Sequence, residues 1–122
     1  AGGKMCLSLI DQDKLDRYLK RAELQGYTTQ TMTDRHQLRE ELCRIRQQGY
    51  ATDSEEWVPG MIAVAVPVLG SSGQLIATVS FHAPVQRLTL AEGLKYLPDL
   101  QAAAEELTRL MGVVAEVLAK QD

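Results

Sequence analysis

Two apolar segments joined by a glycine-rich turn constrain the fold of this chain more than any other feature. Met61–Val68 alternates large and small apolar side chains, Gly70–Gly73 reads Gly-Ser-Ser-Gly, and Leu75–His82 is a second run of mostly apolar residues. This pattern predicts an antiparallel hairpin. An isolated hairpin is only marginally stable in water, and both faces of this one are apolar. We therefore expect more strands beside it, so the chain is an incomplete domain or pairs with another chain.

Segments that precede the hairpin repeat their apolar residues with helical spacing, and Asp and Gly residues mark their starts and ends. The predicted helices are Lys4–Ile10, a second from Asp11 or Asp13 to Ala22, and a third from Thr33-Asp34 to Gly49. The side chains predicted to be buried are Met5, Cys6, Leu9, Leu15, Tyr18, Leu19, Leu38, Leu42 and Ile45.

The remaining segments are an acidic stretch before the hairpin and a long helix after it. Tyr50–Gly60 lacks a clear period and is predicted to be irregular. Thr89 is predicted to cap a helical stretch that is interrupted near Leu97-Pro98 and continues from Asp99 to Lys120. The side chains of this helix predicted to face inward are Leu100, Leu107, Leu110, Val114 and Leu118. The inventory is that of an α+β domain.

Length and charge exclude several functional classes. A chain of 122 residues is one domain or part of one. Its 13 Lys and Arg residues are interspersed with 16 Asp and Glu residues, a pattern typical of solvated helix faces and not of a free-standing nucleic-acid-binding module. No run approaches the roughly 18 consecutive apolar residues of a membrane span. No signal peptide is visible either, so we expect a cytoplasmic protein.

Nucleophilic and titratable residues form no recognisable catalytic or metal-binding pattern. Cys6 and Cys43 have no metal-ligand or redox spacing, and both lie on apolar helical faces at positions predicted to be buried in the core. Either cysteine could pair with His82 as nucleophile and base, but no third orienting group is evident. We therefore expect a chain that is not an enzyme, with no catalytic residues, no metal and no cofactor. An oligomerisation module built on the long C-terminal helix is a further alternative.

Three stretches, taken together in this order and spacing, resemble the effector-binding domain of the IclR family of bacterial transcriptional regulators. The first is Ala1-Gly2-Gly3-Lys4, which opens a helix. The second is Gly49-Tyr50-Ala51-Thr52-Asp53-Ser54-Glu55-Glu56, followed by Pro59-Gly60-Met61. The third is Ile62–Val68, the glycine-rich turn, and then Ser80-Phe81-His82-Ala83-Pro84. Each motif alone is weak, whereas the ordered set covers essentially the whole chain.

The resemblance implies a GAF/profilin-like α+β fold, with helices on the faces of an antiparallel sheet that is incomplete here. Residues 1–122 would be the C-terminal portion of a single effector-binding domain. In the family, a winged helix-turn-helix and the first strands of the sheet precede this portion. DNA would then be bound only through that absent N-terminal domain, and the protein is expected to be a homo-oligomer, either a dimer or a tetramer.

The resemblance also implies a pocket for a small organic acid, since family members sense keto acids, sugar acids and aromatic acids. The positions that correspond to pocket residues are Ala1, Gly2, Gly3, Asp53, Ala63, Ser80 and His82. Glycines before a helix expose N–H groups to an anion, which is favoured at a helix N-terminus. Ser80 and His82 are two residues apart in a strand and therefore point to the same face.

Two departures from the family pattern affect the ligand. Ala63 stands where some members carry a polar Cys, and His82 stands where Ser is common. The larger imidazole favours a hydroxylated sugar acid over a minimal keto acid. Two structural alternatives remain open: Asp53 could brace a turn, and Trp57 could cover either the pocket or the hairpin.

Overall fold

A three-stranded antiparallel sheet in the order β1-β2-β3 forms the centre of the computed structural model, which describes residues 1–120. The elements in chain order are α1 (Gly2–Leu9), α2 (Gln12–Arg21), α3 (Arg35–Gln48), β1 (Ala51–Ser54), β2 (Met61–Leu69), β3 (Leu75–Pro84), α4 (Leu90–Gly93) and α5 (Leu97–Lys120). A single 3-10 turn, Leu94–Tyr96, joins the last two helices. The predicted α+β class and the predicted hairpin are confirmed.

Strand β1 corrects the prediction that all of Tyr50–Gly60 is irregular. It pairs with β2 in a register that places Ala51 opposite Ala65 and Asp53 opposite Ala63. Its four residues are too few to show a period in the sequence, and the pairing with β2 determines its conformation. The hairpin therefore lies in a larger sheet, as expected. β3 is an outer strand, and within residues 1–120 its second edge has no partner.

Helices cover both faces of the central strand, which explains why β2 is apolar throughout. On one face, Met5 of α1 and Leu42 of α3 belong to a buried cluster with Ala65. On the other face, Leu100 and Ala104 of α5 pack in a cluster with the valines of β2. Residues 62–66 are each no more than 1% exposed. The alternation of large and small side chains thus reflects different packing partners on the two faces of β2, not one solvent-exposed face and one buried face.

The N-terminal helices follow their capping residues closely. Asp34 caps α3 through hydrogen bonds from the backbone N–H groups of the next turn, and Gly49 ends it at a φ of 82°. Helix α1 begins two residues earlier than predicted, at Gly2. Two predictions of burial are wrong. Tyr18 is 44% exposed, and Cys43 is exposed because it lies about 100° around the helix from Leu42.

The C-terminal helix departs most from the sequence prediction. Thr89 caps α4 as predicted, but the interruption lies at the 3-10 turn and Pro98 falls within the first turn of α5. Only the first half of α5 packs on the sheet. The residues wrongly predicted to face inward, all 39–59% exposed, are Leu107, Leu110, Val114 and Leu118. Although α5 has 24 residues, no helix within residues 1–120 is long and apolar enough to cross a membrane.

Candidate functional site

Three residues on neighbouring strands form a row across one face of the sheet. Asp53 of β1 lies opposite Ala63 of β2, and Ala63 lies opposite His82 of β3. Directly opposed residues of antiparallel strands project to the same face, and strands are about 4.8 Å apart. Asp53 and His82 are therefore roughly 10 Å apart across the sheet. The small side chain of Ala63 between them is 1% exposed.

A cavity of about 240 Å³ lies at this end of the sheet and brings part of the predicted site together. It is lined by Ala1, Asp53, Trp57 and His82, together with the start of β2. Gly3 lines an adjoining cavity that shares Ala1, Asp53 and Trp57 with the first. Gly2, Ala63 and Ser80 line neither of these two cavities. We call the first of them the acid pocket.

Ser80 and His82 share a face of β3, as the strand period predicts. Ser80 lies opposite Ala65, one cross-strand row away from His82 and Ala63. Both Ser80 and His82 are exposed. The acid pocket therefore reaches His82 at the end of the strand and stops short of Ser80.

Asp53 has a structural role that the sequence left open. Asp53 is 9% exposed, and its Oδ1 accepts a 2.8 Å hydrogen bond from the backbone N–H of Glu56. The turn is further held by Glu55, whose Oε1 accepts from the N–H of Gly60 at 2.8 Å and whose φ is 59°. Asp53 therefore does brace the turn. Each carboxylate oxygen has about two acceptor positions, so this one bond leaves acceptor capacity for a ligand.

Lys4 and Glu56 form a largely buried ion pair beside Asp53. The Nζ of Lys4 donates to Oε1 and Oε2 of Glu56 at 3.0 and 2.8 Å. Burial raises the pKa of Glu56 above its usual range, the hydrogen bond and charge of Lys4 lower it, and the charge of Asp53 raises it. Neither Lys4 nor Glu56 was selected from the sequence as a site residue. The only available signal for Lys4 was its place in the opening motif.

An aromatic pair lies over the second cavity, which has a volume of about 340 Å³. The ring centroids of Tyr27 and Trp57 are 4.2 Å apart with a tilt of 50°. The hydroxyl groups of Thr28 and Thr31 donate to the backbone carbonyls of Glu55 and Glu56 and join the two loops. Tyr27 was not selected from the sequence because its loop shows no period.

The first turn of α1 reaches this region with its backbone N–H groups. Ala1 is the N-cap, and its carbonyl accepts from the N–H of Met5 at 2.9 Å. The N–H groups of the first turn have no acceptor within the helix. Gly2 allows a close approach to β3, since a Cβ at that position would lie 3.2 Å from Oγ1 of Thr78.

The geometry gives little support to a cysteine–histidine nucleophile pair or to a metal site. Neither cysteine lines the acid pocket, whose wall includes His82. Within residues 1–120, no group of three or more His, Cys, Asp or Glu side chains is arranged to hold a metal ion.

Comparison with known proteins identifies related chains. Residues 1–109 match the family described as bacterial transcriptional regulator IclR C-terminal. The HTH-type transcriptional regulator KdgR of Escherichia coli is 33% identical over 110 residues, which are 90% of this chain and 42% of KdgR. The chain therefore spans about two fifths of the length of the curated relatives it matches.

Solved structures agree with this assignment. The C-terminal domain of E. coli KdgR superposes with a TM-score of 0.82 at 33% identity and covers 92% of this chain and 68% of that one. The inducer-binding domain of PobR from Acinetobacter, a double mutant in complex with 3-hydroxybenzoic acid, has a TM-score of 0.85 at 34% identity. That match covers 89% of this chain and 63% of the PobR chain.

Proposed function

This chain belongs to the IclR family of bacterial transcriptional regulators, and on that basis we propose that it is the C-terminal portion of a domain that senses a small organic acid. Family membership confirms the prediction that the chain is part of a regulator and not of an enzyme. The acid, a keto acid or a sugar acid, would change operator binding by a DNA-binding segment outside residues 1–122. Such a regulator would act in the cytoplasm, as a dimer or tetramer.

One arrangement supports the proposed binding site above all others. Asp53 and His82 come from β1 and β3 and line one cavity with Ala1, which precedes the first turn of α1. Residues far apart in the sequence thus converge on a space of about 240 Å³. Concave sites with a few convergent polar groups are the usual place for a small ligand. We assign the effector to this acid pocket.

The charges around the acid pocket favour a particular orientation of the ligand. The carboxylate of the effector would dock on the N–H groups of Gly2 and Gly3, where the helix dipole favours an anion. Asp53 would accept from a hydroxyl group of the effector, because a second carboxylate beside it would be repelled. His82, in the wall of the acid pocket, would contact the polar substituents, and Ser80 lies one row beyond it on the same face of β3. A hydroxylated acid satisfies these positions better than a minimal keto acid does.

A relative gives independent support for an acid that also carries a hydroxyl group. The PobR inducer-binding domain is described as a complex with 3-hydroxybenzoic acid. That molecule has one carboxylate and one hydroxyl group, which is the combination that Asp53 and the first turn of α1 would bind together. For the effector of the present chain we propose only the same chemical class, an acid that also carries a hydroxyl group.

A thermal-shift screen of organic acids on the intact regulator tests the proposal. Keto acids, sugar acids and hydroxybenzoates would be compared, because a ligand that binds only the folded state raises Tm by an amount that increases with its concentration and affinity. We expect at least one hydroxylated acid to raise Tm and to be recovered unchanged by mass analysis. A complete absence of shifts among all three groups would contradict ligand sensing.

A second candidate function, oligomerisation, is favoured by the C-terminal half of α5. Leu110, Val114 and Leu118 of this half are 44–59% exposed. Contiguous exposed apolar surface is typical of an interface. The two functions are compatible, but a pure oligomerisation module would show self-association by analytical ultracentrifugation without any Tm increase from the acids.

A further inference from the structure

The second cavity is continuous with the acid pocket but chemically different from it. Both cavities are lined by Ala1, Asp53 and Trp57. The second is larger, about 340 Å³ against about 240 Å³, and it extends toward the loop between α2 and α3. A ligand bound to Asp53 in the first cavity would therefore have space to extend into the second.

Aromatic and aliphatic side chains form much of the wall of the second cavity. They come from α2, from the loop after it, from α3 and from the turn after β1, and they are Tyr18, Tyr27, Met32, Leu38 and Trp57. Trp57 and Tyr27 are 61% and 52% exposed, although large aromatic side chains gain most when they are buried. A ligand with a flat apolar surface would cover part of this exposed area.

Hydrogen bonds hold the two aromatic residues in place without a ligand. Thr31 Oγ1 accepts from the backbone N–H groups of Tyr27 and Thr28 at 3.1 and 2.9 Å. Its hydroxyl group donates to the carbonyl of Glu56, next to Trp57. The backbone next to Trp57 is thus held beside Asp53, whose Oδ1 accepts from the N–H of Glu56. Such preorganisation reduces the entropy that binding must overcome.

The polar groups of the second cavity disfavour a further carboxylate and favour hydrogen-bond donors. Lys4 is already paired with Glu56. Asp53 and Glu56 are both acceptors when ionised, so a hydroxyl group on the ligand can donate to either. The chemistry that fits both walls is a ring that carries hydroxyl groups on its edge.

We propose that the second cavity is a ring subsite, in which Trp57 and Tyr27 cover the ring of a hydroxylated cyclic acid whose carboxylate lies at the first turn of α1, beside Ala1, where the two cavities meet. The inference rests on the proposed function and narrows it: the effector is a ring-bearing acid, not an acyclic one. Trp57 and Tyr27 are the residues that determine this preference, and Asp53 contacts the ligand from both cavities.

The test compares two substitutions of Trp57 in the intact regulator. Trp57→Ala removes the ring surface, whereas Trp57→Phe keeps an aromatic ring and serves as the matched control. Calorimetric titrations would use 3-hydroxybenzoate and glucuronate as cyclic acids, with gluconate and pyruvate as acyclic ones. We expect Trp57→Ala to weaken binding of a cyclic acid by about 10-fold, while Trp57→Phe stays within roughly 3-fold of the original protein.

Fluorescence gives a second readout because Trp57 is the one tryptophan among these 122 residues. Binding of a cyclic acid should change the emission of the original protein, and Trp57→Phe should lose that change. Two outcomes would overturn the ring subsite while leaving ligand sensing intact. In the first, Asp53→Asn weakens binding and Trp57→Ala does not. In the second, an acyclic acid binds as tightly as either cyclic acid. Failure of every acid to bind would overturn ligand sensing itself and the ring subsite with it.

Discussion

The ammonium nitrogen of Lys4 lies 2.8 and 3.0 Å from the two carboxylate oxygens of Glu56, although 52 residues separate them in the chain. Their side chains are only 15% and 19% exposed. The pair connects the first turn of α1 to the turn after β1, and these are the two segments that meet at Asp53. Its strength therefore bears on both stability and the geometry of the site.

Lys4→Met is expected to lower the free energy of unfolding by about 1–3 kcal/mol near neutral pH, because it leaves the largely buried Glu56 without a counter-charge. Burial raises the pKa of Glu56 in the folded state, so the folded state binds its proton more readily than the unfolded state. Stability must then fall as pH rises from the unfolded pKa through the folded pKa. Lys4 lowers the pKa of folded Glu56, so its removal raises that pKa further. The pH range over which stability falls then extends to higher pH.

The loss caused by Lys4→Met should therefore shrink as the solution is acidified and Glu56 becomes neutral. Urea unfolding of the intact protein at about pH 5 and about pH 8 measures this difference. The double variant Lys4→Met/Glu56→Gln is the control, and its cost should not depend on pH in this way. An equal loss for Lys4→Met at both pH values would contradict the assigned role of Glu56.

Asp53→Asn and Asp53→Ala should separate the two roles of Asp53. Asparagine keeps an oxygen that can accept from the N–H of Glu56, so Asp53→Asn should change stability by less than about 1 kcal/mol, whereas alanine should cost about 1–3 kcal/mol. Both variants lose the charged acceptor. Each should weaken binding of a hydroxylated acid by about 10- to 150-fold. Calorimetry measures the affinity, and unfolding curves measure the stability.

The comparison of His82→Ala with Ser80→Ala tests where along β3 the ligand ends. Both side chains are on one face, but only His82 lines the acid pocket. We expect both variants to respond less to the effector, with the greater loss for His82→Ala, and operator binding without effector to remain nearly unchanged. Titration calorimetry combined with an operator-binding assay provides the two readouts. Unaltered effector affinity in both would mean that the pocket has been placed on the wrong residues.

Gly2→Ala and Gly3→Ala form a matched pair within the first turn of α1. Alanine favours a helix over glycine by up to about 1 kcal/mol. A Cβ at Gly3 meets open space, whereas one at Gly2 lies 3.2 Å from Oγ1 of Thr78. We expect Gly3→Ala to raise Tm and Gly2→Ala to raise it less or lower it. Adding Thr78→Ala to Gly2→Ala should restore the increase in Tm. Equal Tm values for the two glycine variants would show that the contact with Thr78 does not limit the stability of Gly2→Ala.

Local patterns in the sequence predicted an element correctly where its own residues carry the pattern, either as capping residues or as a repeating period. The helix α3 begins after Asp34 and ends before Gly49 because the sequence encodes a capping residue at each end. The strands of the hairpin follow from their period and their turn. β1 could not be predicted in this way, since four residues carry no period and their partners in β2 lie 8 to 14 residues further along the chain. The inward face of α5 was overestimated because helical spacing does not reveal where the sheet ends.

The candidate site likewise combines residues that local motifs predict with long-range contacts that they do not. Asp53 and His82 were selected through motifs, and the strand register then placed them in one row with Ala63. The partnership of Lys4 with Glu56 is a long-range contact that no local spacing encodes. The loop that carries Tyr27 approaches Trp57 through hydroxyl-to-carbonyl bonds, which the sequence of either loop alone cannot indicate.

The free edge of β3 has a practical consequence for anyone who prepares this protein. An outer strand with unpaired N–H and C=O groups is a template for another strand, and Ile76 on β3 is 38% exposed. Nothing on that side of the sheet competes with an intruding chain within residues 1–120. The boundaries chosen for expression therefore decide whether the protein stays dispersed or aggregates edge to edge. A preparation that includes a segment able to pair with β3 should remain clear at concentrations where the 122-residue chain precipitates.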